Sequence, residues 1–135
     1  VRLTRPLLPP HEHRRWSGAT WLLISFLLVV MLFPRAVAVA AMWAIAVGDA
    51  SAALIGRLVG GYRLGRSPKT LAGSVAGAVA TILGALFVAQ LSLRDSLVGG
   101  VVAAIAEWPA GPGDDNLRIG IAVGAGILLS HMAFS

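Results

Sequence analysis

The sequence predicts an all-α fold, a polytopic bundle of about five transmembrane helices with a cytoplasmic amino terminus. Three observations predict it. Of the 135 residues 57% are hydrophobic and only 13% are charged, so the chain lacks the polar residues that would cover a soluble domain. Its apolar residues gather into runs near the length that crosses a bilayer core, separated by short stretches rich in Arg, Pro and Gly. No convincing strand pattern or internal repeat occurs. With no cysteine, the chain has no disulfide, thiolate metal site or cysteine nucleophile. The net charge of +5 comes from basic residues lying between apolar runs. They read as topology signals and as lipid or nucleotide contacts, not as a nucleic-acid surface.

Residues 1–15 form a basic juxtamembrane arm with Pro6, Pro9 and Pro10 among Arg2, Arg5, Arg14 and Arg15. His11, Glu12 and His13 carry two imidazoles at a weak metal-ligand spacing. The transmembrane domain follows over residues 16–135. Residues 16–33 are the first span. Arg14–Arg15 before it and Ala36–Val37–Ala38 after it also allow a cleaved or twin-arginine signal, but the segments that follow are equally apolar. Pro34 and Arg35 break the run and open the next helix.

Residues 36–58 are the second span, and they carry an acid, Asp49, about 12 Å before Arg57 at helical rise. An ionisable residue inside the membrane marks a functional site by default. Asp49, Ala52, Ala53, Gly56 and Gly60 fall on one helical stripe of small residues, so the acid is expected to face a neighbouring helix or cavity instead of lipid.

A basic, glycine-rich cytoplasmic loop occupies 59–70, with Gly60, Gly61, Arg63, Arg66 and Lys69, the one lysine in the chain. Residues 71–91 are the third span, with Gly73, Gly77 and Gly84 as close-packing positions. At 92–96 a tight turn is expected, with Asp95 or Ser96 capping the next helix. Residues 97–108 are short for a span and end at Glu107–Trp108–Pro109. A second cytoplasmic loop, 110–116, holds Asp114 and Asp115, and 117–134 is the last span. Asp115 and Asn116 also read as plain helix caps, and His131 as a surface or packing histidine.

Orientation follows from charge. With five spans and the amino terminus inside, nine basic side chains fall on the cytoplasmic side and two, Arg35 and Arg94, outside. Asp49, Lys69, Glu107, Asp114 and Asp115 then collect at or just below the cytoplasmic face, while Glu12 and Asp95 lie apart from them. Carboxylates converging beside a glycine-rich basic loop suit Mg²⁺ and phosphate, because Mg²⁺ takes one or two carboxylates together with substrate phosphates. Amides at the helix beginning near Thr70 are expected to receive phosphate oxygens, with Lys69, Arg57 and Arg66 offsetting charge in phosphoryl transfer. The loop lacks the GxxxxGK[ST] pattern, which excludes a Walker-type ATPase.

These residues carry a resemblance. Gly48–Asp49, Ala52, Gly56–Arg57, a glycine at 60 or 61, Pro68–Lys69–Thr70–Leu71, Gly73–Ser74 and Gly77 are similar to a motif of the membrane CTP-dependent polyprenol (dolichol), phytol and diacylglycerol kinases. Glu107 followed by Asp115–Asn116–Leu117 resembles that family's second motif, and together the two cover roughly the last two-thirds of the chain. The resemblance implies transfer of the γ-phosphate of CTP or another nucleoside triphosphate to a membrane lipid hydroxyl, with Mg²⁺.

It implies Asp49 as metal ligand or base, and Lys69 and Arg57 on the nucleotide phosphates. Glu107 and Asp115 would complete the metal site, Asn116 would orient a ligand, and Gly48, Gly56, Gly60, Arg66, Thr70, Gly73 and Ser74 would line the nucleotide. The phosphatidate cytidylyltransferases share a similar glycine–aspartate and proline–lysine segment and are the nearest rival. A non-catalytic small membrane subunit is the reading from another class. The expected location is a bacterial-type inner or plasma membrane, and whether the chain works alone or as a homo-oligomer stays open.

Overall fold

The computed structural model describes residues 17–63, 65, 69–108 and 114–135. The arm with its histidines, Trp16, Arg66, Pro68 and most of the loop 110–116 lie outside them. The described residues form five helices: α1 (Gly18–Leu32), α2 (Arg35–Val59), α3 (Leu71–Val88), α4 (Leu93–Glu107) and α5 (Asp115–Phe134). Among the described residues the β-type pairing is a single antiparallel bridge, Arg63 to Thr70. The chain is an all-α helical bundle. Three of its helices, α2, α3 and α5, are long and apolar enough to cross a membrane, while α1 is apolar but only 15 residues long.

Helix boundaries follow local chemistry. Ser17 caps α1 by accepting the Thr20 N–H, and Pro34 precedes α2, where its missing N–H costs nothing. α3 stops at Val88, three residues before the expected end. Gln90 there adopts a left-handed φ of 55°, and the Ala89 and Leu91 amides bond back to Gly84 and Ala85. The expected turn at 92–96 is instead helical. Ser92 is the cap, its Oγ accepting the Asp95 N–H at 3.1 Å, so Asp95 and Ser96 lie buried in the first turn of α4. At the start of α5 it is Asp114 that caps, accepting the Asn116 N–H at 2.8 Å.

Consecutive helices pack in pairs from α2 to α5, and α5 closes the bundle against α1 and the first half of α2. The interior is built of small side chains, including Ala38, Ala40, Ala41, Ala44, Ala85 and Ala103, with a few branched ones such as Val29, Ile119 and Ile127. Large apolar residues face outward: Leu23, Met31, Leu58 and Phe87 are 68–73% exposed. This inversion of the soluble pattern suits a lipid solvent, where helices associate by close backbone approach and not by hiding leucine from water. Two buried hydroxyls are satisfied within their own helices, Ser25 by Trp21 O and Thr81 by Gly77 O.

α2 is not uniform. Its α-helical parts, Arg35–Trp43 and Asp49–Val59, are joined by a π-helical turn over Ala44–Gly48. The wider turn shifts the helical face immediately before Asp49, a feature often found at functional sites. Trp43, just ahead of the turn, donates its indole N–H to Ala80 O at 3.0 Å and so ties α2 to α3.

Candidate functional site

α2 and α3 cross at backbone contact. A methyl group on Gly73 would lie 2.5 Å from the Ala52 carbonyl oxygen, and one on Gly77 would lie 3.0 Å from that of Gly48. Only glycine fits such an approach, which explains the small-residue spacing on both helices. The last residue of α4, Glu107, comes to the same crossing, with Oε1 3.2 Å from the position a Gly77 Cβ would take.

At the loop end of this crossing lies a cleft of about 510 Å³. All five residues of the small stripe, Asp49, Ala52, Ala53, Gly56 and Gly60, line it. The intramembrane acid therefore faces a cavity, as its spacing requires. Glu107, Lys69, Arg57, Thr70, Gly73 and Ser74 line the cleft too. Two carboxylates 58 positions apart in the sequence thus share one wall system with three cationic side chains, the third being Arg63.

The loop achieves this by folding back on itself. Gly60, at φ 65°, ends α2 with its N–H bonded to Gly56 O, and Gly61, at φ 96°, turns the chain. The Arg63–Thr70 bridge and the bond from Leu71 N–H to Tyr62 O then close the loop and set Arg63 on the cleft. From the sequence Arg63 has no assigned role at the site, and Gly61 enters only as the alternative to Gly60. Their place in the same glycine-rich loop was the available signal, but the bridge that aims them is not written in local sequence.

Several expected roles differ in the structure. The amides at the start of α3 are not an open anion cradle. Thr70 Oγ1 takes the Gly73 N–H at 3.1 Å and Tyr62 O takes that of Leu71. Asp115 is not the cap of α5 and does not line the cleft. It accepts from Lys69 Nζ at 3.0 Å and from Arg118, whose Nε also bonds the Ala106 carbonyl. Gly48 is a packing residue against Thr81 and Gly77, and Asn116 is tied by its backbone to Asp114 away from the cleft lining. Asp95 does lie apart, at the opposite end of α4, where it accepts from Ser130 at 2.7 Å and meets His131 Nδ1 at 3.2 Å.

The donor set fits a hard cation better than a soft one. Asp49 and Glu107 offer carboxylate oxygens, and Ser74 adds a hydroxyl that is 5% exposed. Ser74 Oγ lies beside the Glu107 carboxylate but makes no hydrogen bond of normal geometry. A buried hydroxyl without a partner of normal geometry, on the lining of a charged cleft, keeps the capacity to bond a ligand or a water. Among the described residues no three acids or histidines gather into a preformed cage. A Mg²⁺ that arrives with phosphate oxygens needs only one or two carboxylates.

No family model, curated protein or solved structure matches the chain.

Proposed function

We propose that the chain is an integral-membrane lipid-alcohol kinase, passing the γ-phosphoryl group of a nucleoside triphosphate to the hydroxyl of a membrane lipid. The motif resemblance favours CTP. The observation that carries the reading is the meeting of Asp49 and Glu107 in one cleft whose remaining polar wall is Lys69, Arg57, Arg63 and Ser74.

In the proposed reaction the lipid hydroxyl oxygen bonds to the γ-phosphorus as the bond from that phosphorus to the β,γ-bridging oxygen breaks. The hydroxyl proton passes to the Asp49 carboxylate, and the nucleoside diphosphate leaves with the electron pair. Lys69, Arg57 and Arg63 offset the charge on the phosphates. Glu107 and Ser74 are the groups that would hold Mg²⁺, whose part is to neutralise phosphate charge. Asp115 acts through Lys69 as a positioning residue. In this reading the amino terminus and the cleft face the cytoplasm, where nine of the eleven basic side chains would lie.

The test uses CTP labelled at the α- or the γ-phosphate, with purified protein, Mg²⁺ and a mixed extract of lipid alcohols. Lipid carrying γ-label alone is the expected product. The α-label in lipid with release of pyrophosphate would make the chain a cytidylyltransferase. Label staying out of lipid with every nucleotide and alcohol would end the enzyme reading. Asp49→Asn should lower transfer by about 10²–10⁴-fold, the range lost with a general base, while the protein still inserts into membranes.

A further inference from the structure

Beside the cleft runs a second concavity of different chemistry. It lies between the outer faces of α2 and α3, with Ile55 and Val59 on one wall and Leu71 and Val75 on the other, and has a volume of about 630 Å³. None of its lining residues is charged. Its walls are open to the outside of the bundle: Val59 is 66%, Leu71 51% and Val75 54% exposed. Cleft and groove share two residues, Gly60 and Gly61. A Cβ on either glycine would have no neighbouring atom within 4 Å. The border between the two is therefore bare backbone, with no described side chain standing across it.

We infer that this groove seats the hydrocarbon tail of a single-chain lipid alcohol, whose hydroxyl crosses Gly60–Gly61 into the cleft. The inference rests on the kinase reading for the chemistry of the head. Apolar surface on a membrane bundle is ordinary. What singles out this groove is its continuity with the cationic cleft, so that one molecule lying across both must have an apolar tail and a small polar end. The track is bounded by one helix on each side. One chain is assigned to it, so the second chain of a diacylglycerol would lie outside. Tyr62, 76% exposed and lining the groove beside the glycines, brings an amphipathic ring to the point where tail gives way to head.

Crosslinking with a diazirine-tailed prenol tests this. Label should map to the facing walls of α2 and α3, and excess unlabelled prenol should compete better than diacylglycerol. Val75→Trp and Ile55→Trp each fill the groove from one side. Val75 is exposed and Ile55 half-buried on the groove wall, and both variants are expected to leave a monodisperse protein. Either should reduce crosslinking and raise KM for the prenol about ten-fold, the loss of roughly two buried methylenes. Thermal stabilisation by CTP and Mg²⁺ should be unchanged in both. Leu129→Trp, on an exposed face of α5, is the control and should change neither.

Label spread evenly around the bundle, parent-like KM in both groove variants, or equal competition by diacylglycerol would each overturn the inference. Groove labelling without phosphoryl transfer would overturn the kinase reading and leave the tail site standing. Transfer with label elsewhere would do the reverse.

Discussion

Lys69 Nζ sits 3.0 Å from Asp115 Oδ2, and Arg118 holds the other oxygen of the same carboxylate. The Lys69 and Asp115 side chains are 25% and 46% exposed. A pair this open to solvent adds little stability, since its attraction is screened. Its consequence is positional: the start of α5 holds the end of a mobile four-carbon stem against the cleft wall. Lys69→Met should lower kcat/KM for the nucleotide by about 10²–10³-fold, as loss of one charge-stabilising donor does. Asp115→Asn should raise KM about 3–10-fold with kcat nearly kept, and should add almost nothing to Lys69→Met in a double-mutant cycle. Additive losses would show that Asp115 works independently of Lys69, for example as a ligand in its own right.

The crossing of α2 and α3 depends on Gly73, where a methyl group would meet a backbone carbonyl instead of a side chain that could turn away. Gly73→Ala must therefore push the helices apart, at about 1–3 kcal/mol, the usual cost of overpacking. A lowered thermal midpoint in detergent, with the cleft's nucleotide response weakened alongside it, is the expected result. Gly18→Ala, where nothing lies within 4 Å, should leave the midpoint unchanged. This crossing was legible in the sequence because a helix's 3.6-residue period converts spacing directly into a face, so Asp49 and its small neighbours could be assigned together.

The helix ends were less legible. Ser92, Asp95 and Ser96 compete to cap α4, as Asp114, Asp115 and Asn116 do for α5, and local propensity ranks all of them as good caps. In each case the earliest of them won, which drew Asp95 into the interior and freed Asp115 to pair with Lys69. The π-helical turn before Asp49 and the Arg63–Thr70 bridge were not legible at all. Neither leaves a recognisable pattern of residue types in the sequence.

On the scale of the whole molecule, the two buried acids of α4 mark opposite ends of the bundle. Glu107 reaches the cleft, and Asp95 joins Ser130 and His131 near the far end of α5. If α4 and α5 cross the bilayer, Tyr62 at the cleft and Ser135 beyond α5 must lie on opposite sides of it. The chain contains no cysteine, so a single introduced thiol reports its own position. Both sites are exposed, so neither substitution disturbs the interior. In sealed right-side-out vesicles a membrane-impermeant maleimide should label Ser135→Cys at once, and Tyr62→Cys only after the membrane is opened. Inverted vesicles should give the reverse order. A kinase that draws on cytoplasmic nucleoside triphosphates needs its cationic cleft on that side, and the excess of basic residues at the cleft end argues for the same orientation. Labelling of Tyr62→Cys from outside would separate the cleft from its nucleotide, and the lipid-kinase reading would fall whatever the cleft's shape.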